Sequence, residues 1–159
     1  MEQGGNKMKR EIKFRGKDLV KDKWCYGCYM SPFYEEDSPF IMEIEERGDH
    51  WEYISSKVIK DTVGQYTGLK DKNGVEIYEG DILRSEDLAF RNGEYVPCCD
   101  IDEVVWNEAD CGYSVAAWKK FVSGKEEQLT GCLYMLADTD DCEIIGNVYD
   151  NPELIGRAK

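Results

Sequence analysis

No run of apolar residues in this chain approaches the ~20 needed to cross a membrane as a helix. The first nine residues, Met1 to Lys9, contain no apolar signal region either. The first absence excludes a helical anchor. The second makes these residues a floppy leader and places the chain in the cytoplasm. Histidine is nearly missing: His50 is the single one. A Ser–His or Cys–His hydrolase would have to use it, yet it follows Arg47-Gly48-Asp49 in an acidic turn, where a solvated side chain is the plain reading. Arg47-Gly48-Asp49 matches an adhesion tripeptide, which arises often by chance and has no use in a cytoplasm. Neither standard glycine loop for cradling phosphate occurs. Long helical periodicity, internal repeats and low-complexity linkers are also missing. Basic residues are scarce, with 20 Lys and Arg against 33 Asp and Glu, for a formal net charge of −13. Binding nucleic acid through its phosphates needs a basic face, so direct nucleic-acid binding is disfavoured.

What is present suffices for a folded protein. Apolar residues make up 42% of the 159, enough for a core and too many for a disordered chain. The length fits one domain from residue 10 to 159, or two subdomains meeting near residue 60. The seven cysteines are odd in number and come without a secretion signal, so free thiols are expected. The acids are unevenly spread. Ser31 to Glu52 holds eight against Arg47 alone, and Glu86 to Cys111 holds eight against Arg91 alone. Solvated loops and edges are the plain reading of such stretches. The sharper one is a surface that attracts a basic partner.

Strand-length patches recur about every ten residues, bounded by Gly, Asn or Asp. They cover Glu11–Gly16, Trp24–Met30, Phe40–Ile44, Trp51–Ile54, Ile101–Trp106, Tyr113–Trp118, Cys132–Leu136 and Cys142–Val148. Ser85–Pro97 reads as loop, with Asn92-Gly93 as a turn signal. Gly27 interrupts its strand, which suits a bulge or a close backbone approach. Asn151-Pro152-Glu153-Leu154 has the cap-then-proline start of a short helical turn. The pattern predicts a mainly β, antiparallel fold, partly closed like a barrel to protect its edges, with a short C-terminal helical turn.

The most structured stretch is Val63 to Leu83. Asn73-Gly74 permits a two-residue turn, which would set Asp71 against Glu76. A three-residue turn avoids that repulsion: Asp71 opens it, Lys72-Asn73 form its centre, and Gly74 takes the left-handed bulge position. This register pairs Lys70 with Glu76, Leu69 with Ile77 and Gly68 with Tyr78. It gives Asp71 a single turn hydrogen bond. Glu79-Gly80 makes the next turn, and a strand resumes at Asp81.

Three separated pieces carry a family resemblance: Ile12-Lys13-Phe14-Arg15-Gly16-Lys17, the stretch Val63–Leu83, and Glu143-Ile144-Ile145-Gly146-Asn147-Val148-Tyr149-Asp150-Asn151-Pro152-Glu153-Leu154. In kind, order and spacing the chain resembles the YopX family of bacteriophage and prophage proteins. The motif positions are Gly64, Gln65, Tyr66, Thr67, Gly68, Leu69, Asp71, Asn73, Gly74, Ile77, Tyr78, Gly80, Asp81, Gly146, Asn147 and Pro152. The resemblance implies a largely β fold and a phage or prophage origin. It transfers no catalytic residue, and it gives these positions a structural role.

The remaining candidates for chemistry have plain explanations. Cys25-Tyr26-Gly27-Cys28 has Cys-x-x-Cys spacing, but residues three apart on a strand project to opposite faces. The adjacent pair Cys98-Cys99 cannot complete a zinc knuckle. No helix follows to make the pair a redox motif. Asp138-Thr139-Asp140-Asp141 lacks the glycine and terminal glutamate of a calcium loop. Trp24, Tyr26, Tyr29, Trp51, Tyr53, Tyr66, Tyr78, Trp106, Tyr113 and Trp118 fall mostly on strand positions, where core and cross-strand pairing account for most of them; a recognition surface lined by a few is the sharper reading. No catalytic, cofactor or metal residue is assigned. The expectation is a cytoplasmic, non-enzymatic phage or prophage protein that binds an unknown protein partner, a basic one on the sharper reading. Homo-oligomerisation stays open. An acidic DNA mimic and an enzyme with an unrecognised carboxylate site are the rivals. Carboxylates evenly spaced along one face would favour the mimic. Acids of raised pKa converging in a cleft would favour the enzyme.

Overall fold

A computed structural model describes residues 11–34, 36–122, 125–136 and 139–157. Its strands are β1 (Phe14–Lys17), β2 (Trp24–Met30), β3 (Phe40–Arg47), β4 (His50–Lys57), β5 (Gly64–Lys70), β6 (Glu76–Tyr78), β7 (Asp81–Arg91), β8 (Glu94–Asn107), β9 (Gly112–Val122), β10 (Lys125–Met135) and β11 (Cys142–Asn147). One 3₁₀ turn, Lys60–Thr62, leads into β5, and Pro152–Ile155 forms another at the expected helical turn. Asp138 lies outside the described residues.

The fold is mainly β and every strand pairing is antiparallel, as the strand pattern predicts. The expected partial closure gives way to two open sheets. One runs β4-β3-β2-β1-β5-β6 and the other β10-β9-β8-β7-β11. The corner at Glu79-Gly80 produces this split. Asp81 Oδ2 accepts the Tyr78 N–H at 2.8 Å, and Gly80 adopts a φ of 78°. The chain therefore turns sharply, and β7 enters a new sheet instead of pairing with β6. Gly80 donates to Val104 O and accepts from Val148 N, each at 2.9 Å, which ties the corner to the second sheet.

Two apolar clusters hold these layers. Cys25, Ile41 and Val58 are buried with Phe14 and Val63 against them. Ile77, Leu83 and Val104 form the second cluster, with Leu69, Val115, Leu136, Cys142 and Ile144 packed on it. Ile77 belongs to the first sheet and Leu83 and Val104 to the second, so this cluster joins the sheets.

The three-residue turn forms as expected. Gly74 N–H donates to Asp71 O and Asp71 N–H to Val75 O, each at 2.8 Å. Gly74 sits at φ 81°, and Lys70 faces Glu76. Beyond that pair the expected register fails. Tyr78 faces Tyr66, not Gly68, and Leu69 has no ladder partner in Ile77. Thr67 Oγ1 donates to Ile77 O at 2.9 Å and accepts from Leu69 N at 3.1 Å. Its hydroxyl replaces a ladder bond while Gly68, at φ 91°, bulges out.

Ser85–Pro97 is not loop. β7 and β8 pair throughout it, closed by Arg91 opposite Glu94. Asn92 and Gly93 both have positive φ, 52° and 90°, the mark of a two-residue I′ turn. Gly27 shows the expected close approach. A Cβ there would stand 2.1 Å from Met42 O.

Candidate functional site

The motif residues gather where the sheets meet. Tyr78, Asp81, Gly146 and Asn147 line a cleft of about 510 Å³ together with Lys13, Arg15, Trp24, Tyr26, Val75, Glu76 and Ile144. β1 and β2 of the first sheet supply the basic and aromatic wall, and β11 supplies the opposite one. Arg15 Nη1 lies 2.6 Å from Asp81 Oδ1, and Arg15 Nη2 donates to Glu79 O at 3.0 Å. The guanidinium stacks over Trp24 at 4.7 Å and Tyr78 at 5.1 Å. Lys13 Nζ and the Tyr78 hydroxyl both donate to Glu76 Oε2 at 2.7 Å. The bond from Lys13, stronger than the opposing effect of burial, holds the Glu76 carboxyl below its usual range. Burial and the bond to Glu76 push the Tyr78 phenol far up.

Asp150 closes one end. It accepts from Lys17 Nζ at 2.7 Å, Trp24 Nε1 at 2.8 Å and Asn147 Nδ2 at 3.0 Å. Burial works to raise its pKa, but these bonds outweigh it and bring the carboxyl to about 2. The charges of Lys13, Glu76, Arg15 and Asp81 are thus matched in place, and what the cleft presents is mostly flat apolar wall.

The other motif residues build this junction. Gln65 O accepts the Glu79 N–H at 3.1 Å, and the Gln65 N–H donates to the Glu79 carboxylate at 2.8 Å. Gly64 packs with its Cα side 2.6 Å from Glu79 O, measured to an added Cβ. Tyr66 is buried with its ring 5.5 Å from that of Tyr78. Asp71 exceeds its expected role. Its buried carboxylate accepts from Asn73 N, Val75 N and, across the sheet boundary, Ile144 N. Asn147 Oδ1 caps the Tyr149 and Asp150 amides, and Pro152 is buried at the start of its 3₁₀ turn. Gly146 packs against Asn151. Sequence reading missed Arg15 as the partner of Asp81, and Lys13, Trp24 and Tyr26 as cleft walls.

An apolar face adjoins the cleft. Tyr26 and Cys28 share one face of β2. Cys28 pairs with Met42 and Met30 with Phe40, while Ile44 pairs with Tyr53. Alternation puts Phe40, Met42 and Ile44 on that same face with Trp51 and Tyr53. Ile44, Trp51 and Tyr53 are 49%, 61% and 66% exposed. Cys25 points the other way into the core, so Cys25 and Cys28 project to opposite faces as the spacing predicts. His50 is exposed beside Asp49.

A third feature sits on the second sheet. Asp102 and Asp100 stand two apart on β8, above Ala117 and Lys120. Lys120 Nζ binds Asp100 Oδ2 at 3.1 Å, and an oxygen of each carboxylate is buried with no hydrogen-bond partner. Burial, and then the charge of Asp100, push Asp102 up to about 7. Elsewhere among the described residues cations interrupt the acids. Arg47 sits 2.6 Å from Glu45 and 3.4 Å from Glu52, and Arg84 binds Glu86 at 2.6 Å. Among the described residues no group of three or more His, Cys, Asp or Glu is placed to hold a metal ion, and no helix is long and apolar enough to cross a membrane.

A crystal structure of protein EF1440 from Enterococcus faecalis is 22% identical to this chain and covers 92% of it and 99% of its own length, with a TM-score of 0.49. Comparison with curated proteins returned no match. The family model described as YopX protein matches residues 13–156, a span that includes all three motif pieces and both sheets, and the chain belongs to the YopX family.

Proposed function

We propose that this chain is a non-enzymatic protein-binding module of phage or prophage origin, working in the bacterial cytoplasm. The observation that carries the reading is the uncovered apolar face of β2, β3 and β4. Sheets of this kind bury one face and solvate the other with polar side chains. Here both faces of the β3–β4 hairpin are used: one packs Ile41 into the core, and the other shows Ile44, Trp51 and Tyr53 to solvent beside a half-buried Met42. Aromatic and methionine side chains on a patch rimmed by charge are the usual composition of an interface centre. The neighbouring cleft adds Tyr26 and Trp24 and offers no unpaired charge for catalysis.

Affinity capture from host lysate tests this. The double variant Trp51→Ala/Tyr53→Ala, still folded by circular dichroism, should lose a partner that wild type retains stoichiometrically. A control pair on the other sheet, Leu88→Ala/Phe90→Ala, should keep it. Retention by the first pair and loss by the second would place the interface elsewhere.

The Asp100–Asp102 pair favours one other reading, an acid–base enzyme. A carboxyl that titrates near neutrality is what a general acid needs. Lys120 is already bound to Asp100, and the cavity that Asp102 lines also holds Ser85, Glu86, Asp87, Asp141 and Cys142. The exposed apolar face of β2, β3 and β4 puts the protein-binding reading first. The scattered, cation-broken acids weaken the DNA-mimic reading.

A further inference from the structure

We infer that the free edge of β4 accepts an extended segment of the partner as an added strand, and that this segment alternates apolar and basic residues. The inference rests on the protein-binding reading and names the partner's chemistry. β4 is an edge strand of the six-stranded sheet. Its ladder to β3 runs from Arg47 opposite His50 to Phe40 opposite Lys57 without a bulge.

The direction of its backbone groups follows from two bonds. Val58 N–H donates inward to Pro39 O at 2.9 Å, and Lys57 O accepts outward from Leu19 N at 2.9 Å. Bonding parity alternates along an antiparallel strand. Residues 50, 52, 54 and 56 therefore bond to β3, and Trp51, Tyr53 and Ser55 turn their N–H and C=O groups to the open edge. Leu19 covers the edge at Lys57 and leaves these three free among the described residues.

Natural edge strands are guarded by prolines, bulges, central lysines or short length. β4 is eight residues long and reads His-Trp-Glu-Tyr-Ile-Ser-Ser-Lys; Glu52 is the one charge at its centre, and no proline, lysine or bulge interrupts it there. Such an edge is the substrate of strand addition, in which main-chain bonds give affinity and alternate side chains give specificity.

The neighbouring side chains choose the occupant. On one face an added strand meets Trp51 and Tyr53, which call for apolar residues. On the other it meets Glu52, with Glu45 opposite it and Glu43 on the same face of β3; Arg47 bridges Glu45 and Glu52, and the acid left over calls for Lys or Arg. A second copy of this chain is the poorer fit. An antiparallel β4-to-β4 pairing centred on Glu52 would set that carboxylate against its own copy, and each chain carries −13.

The test uses the full chain and a capped ten-residue peptide of alternating valine and lysine. Calorimetry should show binding that weakens at least tenfold when the peptide's alternate amide nitrogens are methylated. Methylation keeps charge and side chains but removes donors. Ser55→Pro should weaken it similarly, since that N–H makes no bond to β3. Hydrogen exchange should slow at Trp51, Tyr53 and Ser55 when peptide is added. Equal binding of the methylated peptide overturns strand addition while leaving the apolar face as a binding surface. No binding at millimolar peptide, or a β4-to-β4 dimer by sedimentation equilibrium, overturns it as well. Loss of the captured partner in Ser55→Pro supports it. Loss only in Trp51→Ala/Tyr53→Ala overturns it and keeps the broader reading.

Discussion

Arg15 and Asp81 form a buried ion pair across the sheet junction, with Nη1 and Oδ1 2.6 Å apart and side chains only 7% and 2% exposed. The pair connects β1 to the start of β7, so it fixes the corner around which both sheets pivot. Arg15 Nε is buried without a hydrogen-bond partner, which leaves the guanidinium dependent on Asp81, Glu79 O and the two rings that flank it.

Removing one partner of such a pair strands the other's charge. Asp81→Ala should cost about 3–5 kcal/mol, read as a lowered urea midpoint. Arg15→Met with Asp81→Leu should be milder than Asp81→Ala, because no buried charge remains, although the bond from Tyr78 N is still lost. A single variant as stable as wild type would show that the pair is not buried in solution.

The turn at Asp71–Gly74 makes an ordering of two variants testable. Gly74→Val strains a positive φ in open space and should cost about 1–2 kcal/mol. Asp71→Ala leaves the amides of Asn73, Val75 and Ile144 without their acceptor and should cost more, about 2–4 kcal/mol. Burial raises the Asp71 pKa, but the backbone bonds win and lower it. Its contribution is therefore full above the unfolded carboxylate pKa near 4 and fades as pH falls below that. Equal denaturation midpoints for the two variants would reduce Asp71 to a turn residue.

Legibility followed the range of the interaction. The Asp71–Gly74 turn could be read because like-charge avoidance and a left-handed glycine are decided within six residues. Cys25 and Cys28 on opposite faces followed from strand alternation alone. The β7–β8 hairpin reads as loop in sequence because the apolar residues at its end, Leu88, Phe90 and Tyr95, stand in solvent among polar neighbours, so no buried stripe marks it. Its signals were there: Asn92-Gly93 suits an I′ turn, and Phe90 faces Tyr95 with rings 5.1 Å apart. The Thr67 hydroxyl that displaces a ladder bond, and the meeting of Arg15 with Asp81, depend on tertiary placement, which no local pattern encodes. The apolar face was hidden for a similar reason. Trp51 and Tyr53 look like core positions until the opposite face of the hairpin is seen to carry Ile41.

Thiol labelling checks the strand assignments independently. Cys28 and Cys111 are exposed, whereas Cys25 and Cys98 are buried, and burial pushes the Cys98 thiol up. Brief iodoacetamide treatment at neutral pH followed by peptide mapping should modify Cys28 and Cys111, with Cys25 and Cys98 reacting only on unfolding. Equal rates for Cys25 and Cys28 would place both on one face and reopen that pair as metal ligands.

Asp102 gives the pH dependence a definite sign. In the unfolded chain its carboxyl ionises near pH 4. In the folded protein burial beside Leu83, Val115 and Leu136, and then the charge of Asp100, delay ionisation to about 7. Between those values the folded state holds a proton that the unfolded state has released. Stability from this group therefore falls as pH rises from about 4 to 7 and is level above that. With the partial exposure of Asp102 taken into account, the loss is on the order of 1–3 kcal/mol. Asp102→Asn removes the titration, so the variant should match wild type near pH 4 and exceed it at pH 8. Asp100→Asn should shift the inflection to lower pH by removing the like charge and freeing Lys120 to approach Asp102. Urea titrations of the three proteins from pH 4 to 8 decide the matter. A wild-type curve parallel to that of Asp102→Asn would mean that Asp102 is already ionised, and the acid–base reading of this pair would go with it.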